Sequence, residues 1–102
     1  MHAKGFEELE VWRLAKTVVT AVYRVTRRGP IARDFGFKDQ IQRAAVSVMS
    51  NIAEGFERGG HRELIHFLYI AKGSAGEVRS LVHVAEELGY VAGDEKSGLL
   101  AQ

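Results

Sequence analysis

Residues 37–57 read FKDQIQRAAVSVMSNIAEGFE, and their pattern decides the fold. Ile41, Ala44, Ala45, Val48, Ile52 and Phe56 recur at three- and four-residue steps, the period of one helix face. Gln40, Arg43, Ser47, Ser50, Asn51 and Glu54 occupy a different face, and Gly59-Gly60 then breaks the chain. A helix over about 37–57 follows. Upstream, Leu9, Trp12, Ala15, Val19 and Val22 predict a helix over about 6–28. Its acids come first and Arg24, Arg27 and Arg28 last, as the helix dipole favours, and Gly29-Pro30 stops it. Downstream, Leu64, Phe67, Leu68, Ala71, Ala75, Val78, Leu81, Val82 and Ala85 predict a helix over about 61–88, closed by Gly89. Asp94 is the candidate cap of a fourth helix over 94–102. Short links between long helices make neighbours antiparallel. The expectation is an all-α, up-and-down helical bundle, one domain over 1–102, with its fourth helix short or truncated.

Composition removes most alternatives. The chain has 102 residues, room for one small domain. It has no cysteine, which excludes disulfides, thiolate metal sites and cysteine nucleophiles together. Lys4, Glu7, Glu8 and Glu10 leave no signal-peptide pattern at the start, and no apolar run reaches the roughly 20 residues of a membrane span. A cytoplasmic address is expected. A domain this small is marginal alone, so self-association is expected as well.

Charge is uneven although the net is only +1. Residues 24–43 hold six bases against two acids, a net of +4, and residues 77–102 hold five acids against two bases, a net of −3. A basic end can face nucleic acid, and opposite ends can also glue subunits head to tail.

Four motifs carry a family resemblance. Phe6-x-x-Leu9-x-Val11-Trp12-x-x-Ala15 opens the chain, and Arg43-Ala-Ala-x-Ser47-x-x-x-Asn51-Ile-Ala-Glu54-Gly55 fills the second helix. Phe67-Leu68-x-Ile70-Ala71-x-Gly73-Ser74-x-x-Glu77 fills the third, and Leu88-Gly89-Tyr90 closes it. Together they resemble the bacterial four-helix bundle family also called the 23S ribosomal RNA intervening-sequence proteins, over nearly the whole chain. The chain is also similar to the accessory protein of diversity-generating retroelements, to which binding of nucleic acid and of a reverse transcriptase is ascribed. The resemblance implies a small bundle assembled into a ring-like homopentamer with no enzymatic activity. Family members continue after Leu-Gly-Tyr into a full fourth helix, whereas this sequence stops at Gln102; the expectation is either that the helix is truncated or that a neighbouring subunit covers the gap. The family also places serine where Gly60 stands, so the third helix loses a side-chain cap.

Each candidate site has a plainer counterpart. Arg24, Arg27, Arg28, Arg33 and Lys38 cluster between the first two helices; they suit phosphate contacts, or else dipole capping and solubility. Repetition of the cluster around a ring favours the nucleic-acid role. Arg43, Ser47, Asn51 and Glu54 share one face, either as a binding strip or as a structural network reaching Ser74 and Glu77. We expect the network, because polar groups inside a bundle must be paired there. Gly73-Ser74-Ala75-Gly76 is mid-helix, where glycine costs about 1 kcal/mol against alanine, and close helix–helix approach is the expected reason. Arg58-Gly59-Gly60-His61-Arg62 offers backbone donors for a phosphate, with an ordinary turn the stronger expectation. His2, His61, His66 and His83 lack metal spacing, and Ser47 and Ser50 have neither a glycine elbow nor a base nearby. No catalytic residue, metal or cofactor is expected. Val11, Tyr23 and Val25 on the first helix, with Tyr69 and Ile70 on the third, are the apolar candidates for subunit contact. The function expected is a non-enzymatic homo-oligomer that binds RNA or DNA, with a protein partner as a further expectation. The alternative is a purely structural or protein-interaction scaffold.

Overall fold

The computed structural model describes residues 3–94 and Leu99. Three long helices dominate: α1 (Glu10–Thr26), α2 (Phe35–Glu57) and α3 (His61–Glu87). Short 3₁₀ turns cover Phe6–Glu8 and Pro30–Arg33, and no strand occurs among the described residues. The protein is all-helical. Of the fourth helix expected over 94–102, Asp94 and Leu99 have helical backbone, as does Gly93; the remainder lies outside the described residues.

The first helix departs from expectation at both ends. It does not run unbroken from Phe6, because Leu9 turns extended (φ −77°, ψ 125°) and its N–H donates to Phe6 O at 2.9 Å. That bend buries Leu9 beside Ala15, Ile52 and Ala71 and brings the Phe6 and Trp12 rings to 5.0 Å. Its other end comes at Thr26 instead of Arg28. Buried Thr26 donates to Val22 O at 2.8 Å and accepts from Gln42 Nε2 at 2.9 Å, tying the last turn of α1 to α2. Gly29 then takes a positive φ of 67°, which a side chain would strain. Pro30 opens the unexpected 3₁₀ turn, pinned by buried Ile31.

Helix α2 begins at Phe35, two residues early, because Asp34 caps it: Phe37 N donates to Asp34 Oδ1 at 3.2 Å. Gly60 starts α3 with no side-chain cap, as the sequence implies. At its far end Tyr90 N donates to Ala85 O and Gly89 N to Glu86 O, with Gly89 at φ 76°, a Schellman motif.

Helix α2 is the centre of the bundle. Thr26 meets Gln42 across one seam, and Ser47 meets Ser74 across the other, so both neighbours run antiparallel to α2. No Cα of α1 comes within 8 Å of α3. The gap between them is an apolar groove of about 220 Å³, walled by Val11, Leu14 and Val18 of α1 and Ala75 and Val78 of α3. Leu99 fills one part of it and joins the core of Val22, Ile41, Ala44, Ala45, Val78 and Val82.

The glycines of α3 do not serve close approach in this chain. A Cβ at Gly73 would meet nothing within 4 Å, and one at Gly76 would meet only the tip of Arg79. The close approach is at Gly55 of α2, where a Cβ would sit 2.8 Å from Phe67 Cβ. Gly55 and Gly73 both stand in helical motifs; only the helix pairing shows which one touches a neighbour.

Candidate nucleic-acid interface

The end of the bundle that holds residues 24–38 is built from three pieces. These are the last turn of α1, the 3₁₀ turn and the first turn of α2. Arg24 lies in the last turn of α1, Arg27 caps it, and Arg28 follows, so the latter two stand past the helix, not in its last turn. Arg33 ends the 3₁₀ turn. Lys38 is half-buried: its Nζ donates to Ala32 O at 3.2 Å and lies 5.0 Å from the centroid of the Phe35 ring. Lys38 therefore braces the connection, and Arg24, Arg27 and Arg33 carry the outward charge.

The two acids of residues 24–43 are already engaged. Asp34 accepts from Phe37 N through one carboxylate oxygen and from the Tyr90 hydroxyl through the other, at 2.7 Å. Asp39 pairs with Arg43 at 2.9 Å. Among the described residues, no carboxylate lies within ion-pair distance of Arg24, Arg27 or Arg33. Positive charge is thus left uncompensated at this end. Phe35 is 70% exposed beside it, while Phe37 turns inward and meets Tyr90 edge-on at 5.7 Å.

Tyr90 does more than close the third helix with Leu88 and Gly89. It links the C-terminus of α3 to the cap of α2, 56 residues away in sequence, and no local pattern signals such a contact. The hydrogen bond to Asp34, with burial adding to it, pushes the ionisation of Tyr90 above the usual 10.0. Because the folded value is the higher one, the contact supports the fold below pH 10 and is lost as pH rises through that folded value. In a titration of phenolate absorbance, Tyr90→Phe should remove a late transition, and Asp34→Ala should move it to lower pH. An unchanged titration in Asp34→Ala would show that the bond does not form in solution.

The polar strip is smaller than the sequence suggests. Ser47 Oγ and Ser74 Oγ are 2.8 Å apart, and Asn51 Nδ2 donates to Ser47 O and Oγ at 2.8 and 3.0 Å. Those three form a link between α2 and α3. Arg43 does not join them: it pairs with Asp39 one turn back, both side chains mostly exposed at 80% and 61%. Glu54 likewise pairs with Arg58 at 2.8 Å in the open, and Glu77 is exposed. The physical reason is desolvation. A charged group on the rim of a seam finds an i, i+4 partner in water at less cost than a buried one.

The turn at residues 58–60 is also self-contained. Arg58 bonds Glu54 and, at 3.4 Å, Glu63, and its guanidinium lies 5.1 Å from the Phe67 ring centroid. Its charge is spent locally, which leaves the turn reading over the phosphate one. No cluster of three metal-ligating side chains occurs among the described residues.

The sequence matches the family described as 23S rRNA-intervening sequence protein over residues 7–102. The chain belongs to this family. The matched span takes in all of α1, α2 and α3 together with the basic end, so the 23S rRNA-intervening sequence protein assignment rests on the whole bundle and not on one motif. No curated protein matches the chain significantly. Among the described residues, no helix is long and apolar enough to cross a membrane.

Proposed function

We propose that this protein is a non-enzymatic, cytoplasmic helical bundle that self-associates, as a pentamer, and binds nucleic acid through its basic end. RNA is the first candidate, in keeping with the family's name. The observation that carries the reading is the state of the acids: Asp34 and Asp39 are occupied, and Arg24, Arg27 and Arg33 face outward without a carboxylate partner among the described residues. Phosphates are the chemistry that uncompensated arginines recognise, and such binding needs no base-specific contact. Ring symmetry would repeat the surface, and multivalency would raise the affinity.

A scaffold without nucleic acid is the second reading. Val11, Tyr69 and Ile70 are exposed, which favours a protein contact, whereas Tyr23 and Val25 are half-buried. Salt-dependent anisotropy of a labelled single-stranded oligonucleotide separates the two, with light scattering giving the oligomer size. Binding should weaken with a log–log slope of about −0.7 per phosphate engaged. Arg27→Glu with Arg33→Glu should lower affinity about tenfold or more; neither residue lies within an α-helix, so helicity should hold. A parent protein that binds no strand would hand the lead to the scaffold, and a folded double variant that binds as well as the parent would show that the basic end is not the binding surface.

A further inference from the structure

A broad groove of about 640 Å³ runs along the outer side of α1 and shares only Arg24 with the basic cluster. Trp12, Arg13 and Lys16 line its other end, with Thr17 and Thr20 between. Arg13 and Arg24 are 11 residues apart, roughly 16 Å along the helix, enough for several nucleotides. The Thr17 and Thr20 hydroxyls donate back to Arg13 O and Lys16 O, both at 3.0 Å, and leave no charge between the cations. Glu7 is the one acid among the described residues that lines the groove, and its backbone carbonyl takes Arg13 Nε at 2.8 Å, which fixes the guanidinium without neutralising it. Among the described residues, Arg13 and Lys16 have no carboxylate partner. The indole of Trp12 is half-buried, packed against Phe6 and the core of Leu9, Ala15, Ile52 and Ala71, and its remaining surface lines the groove, with Lys16 Nζ 5.8 Å from the ring centroid.

We propose that this groove carries the backbone of a single-stranded nucleic acid onward from the basic end, with Trp12 against an unpaired base. The inference rests on the nucleic-acid reading above and assigns Arg13 and Lys16 to it. A line of cations beside an aromatic ring suits a single strand, because a duplex keeps its bases stacked away from such a ring. The cations hold phosphates, and the ring accepts any base, so sequence preference is weak.

Trp12 is the only tryptophan of the chain, so its emission reports on this groove directly. Unlabelled oligo(U) and oligo(dT), titrated separately, should change that emission along the same isotherm that anisotropy gives. Their relative strength tells RNA from DNA. A hairpin duplex of equal charge should bind the basic end while leaving the emission unaltered. Lys16→Glu should weaken strand binding about tenfold and reduce the salt slope by about 0.7, with Lys16→Gln giving a smaller loss of the same sign. If strands bind but Trp12 emission and the Lys16→Glu affinity stay at parental values, the groove is not used and the basic end acts alone. If no strand binds the parent protein at all, both readings fall together.

Discussion

Alanine at Gly55 and alanine at Gly73 are expected to move stability in opposite directions and to end about 1–3 kcal/mol apart. Both glycines sit inside helices, where alanine alone would add up to about 1 kcal/mol. At Gly73 nothing lies within 4 Å of the new methyl, so the gain should appear in full. At Gly55 the methyl would meet Phe67 Cβ at 2.8 Å and Leu64 Cα at 3.4 Å. Neither atom is the free end of a flexible side chain, so α2 and α3 must part at their closest point. Overpacking of that kind costs about 1–3 kcal/mol, more than the propensity gain. Urea denaturation of both variants beside the parent checks the order. If Gly55→Ala proved as stable as Gly73→Ala, α2 and α3 would not approach there as described.

Leu99→Ala is expected to cost about 3 kcal/mol, the larger single effect. Leu99 is 6% exposed and packs with Val22, Ile41, Val78 and Val82, at the groove that α1 and α3 leave open. Removing it would empty a core position that the segment beyond Val91 supplies. For a domain of this size each kcal/mol moves the melting temperature by about 4–8 °C, so a fall of more than 10 °C should be seen. Leu88→Ala is the matched control, because Leu88 is 54% exposed and should change little. Equal melting temperatures for the two variants would mean that Leu99 does not pack on the core in solution.

Much of the fold was legible because helices are local. The apolar steps of residues 41–56 and 64–85, the Gly29-Pro30 stop and the Gly89 cap each follow from interactions within a few residues. The misplaced ends of α1 have a non-local cause. Leu9 leaves the helix to reach Ile52 and Ala71, and Thr26 closes it through Gln42. Periodicity gives the face of a helix, not the residue at which a distant partner ends it.

The candidate site divides in the same way. The sequence alone determined that Arg24, Arg27, Arg28, Arg33 and Lys38 fall in one basic connection, since adjacency in the chain is enough for that. Tertiary structure decided which of them face outward: Lys38 is drawn onto Ala32 and Phe35, and Asp34 is taken by Tyr90, whose distance along the chain hides it from any window. Structure also separated Arg43 and Glu54 from Ser47, Asn51 and Ser74, although all four α2 residues share a helix face. A helix face is set by backbone geometry, which sequence spacing records. Whether a charge on that face is buried depends on where the neighbouring helix ends and how near water is, and those quantities exist only once the helices have packed.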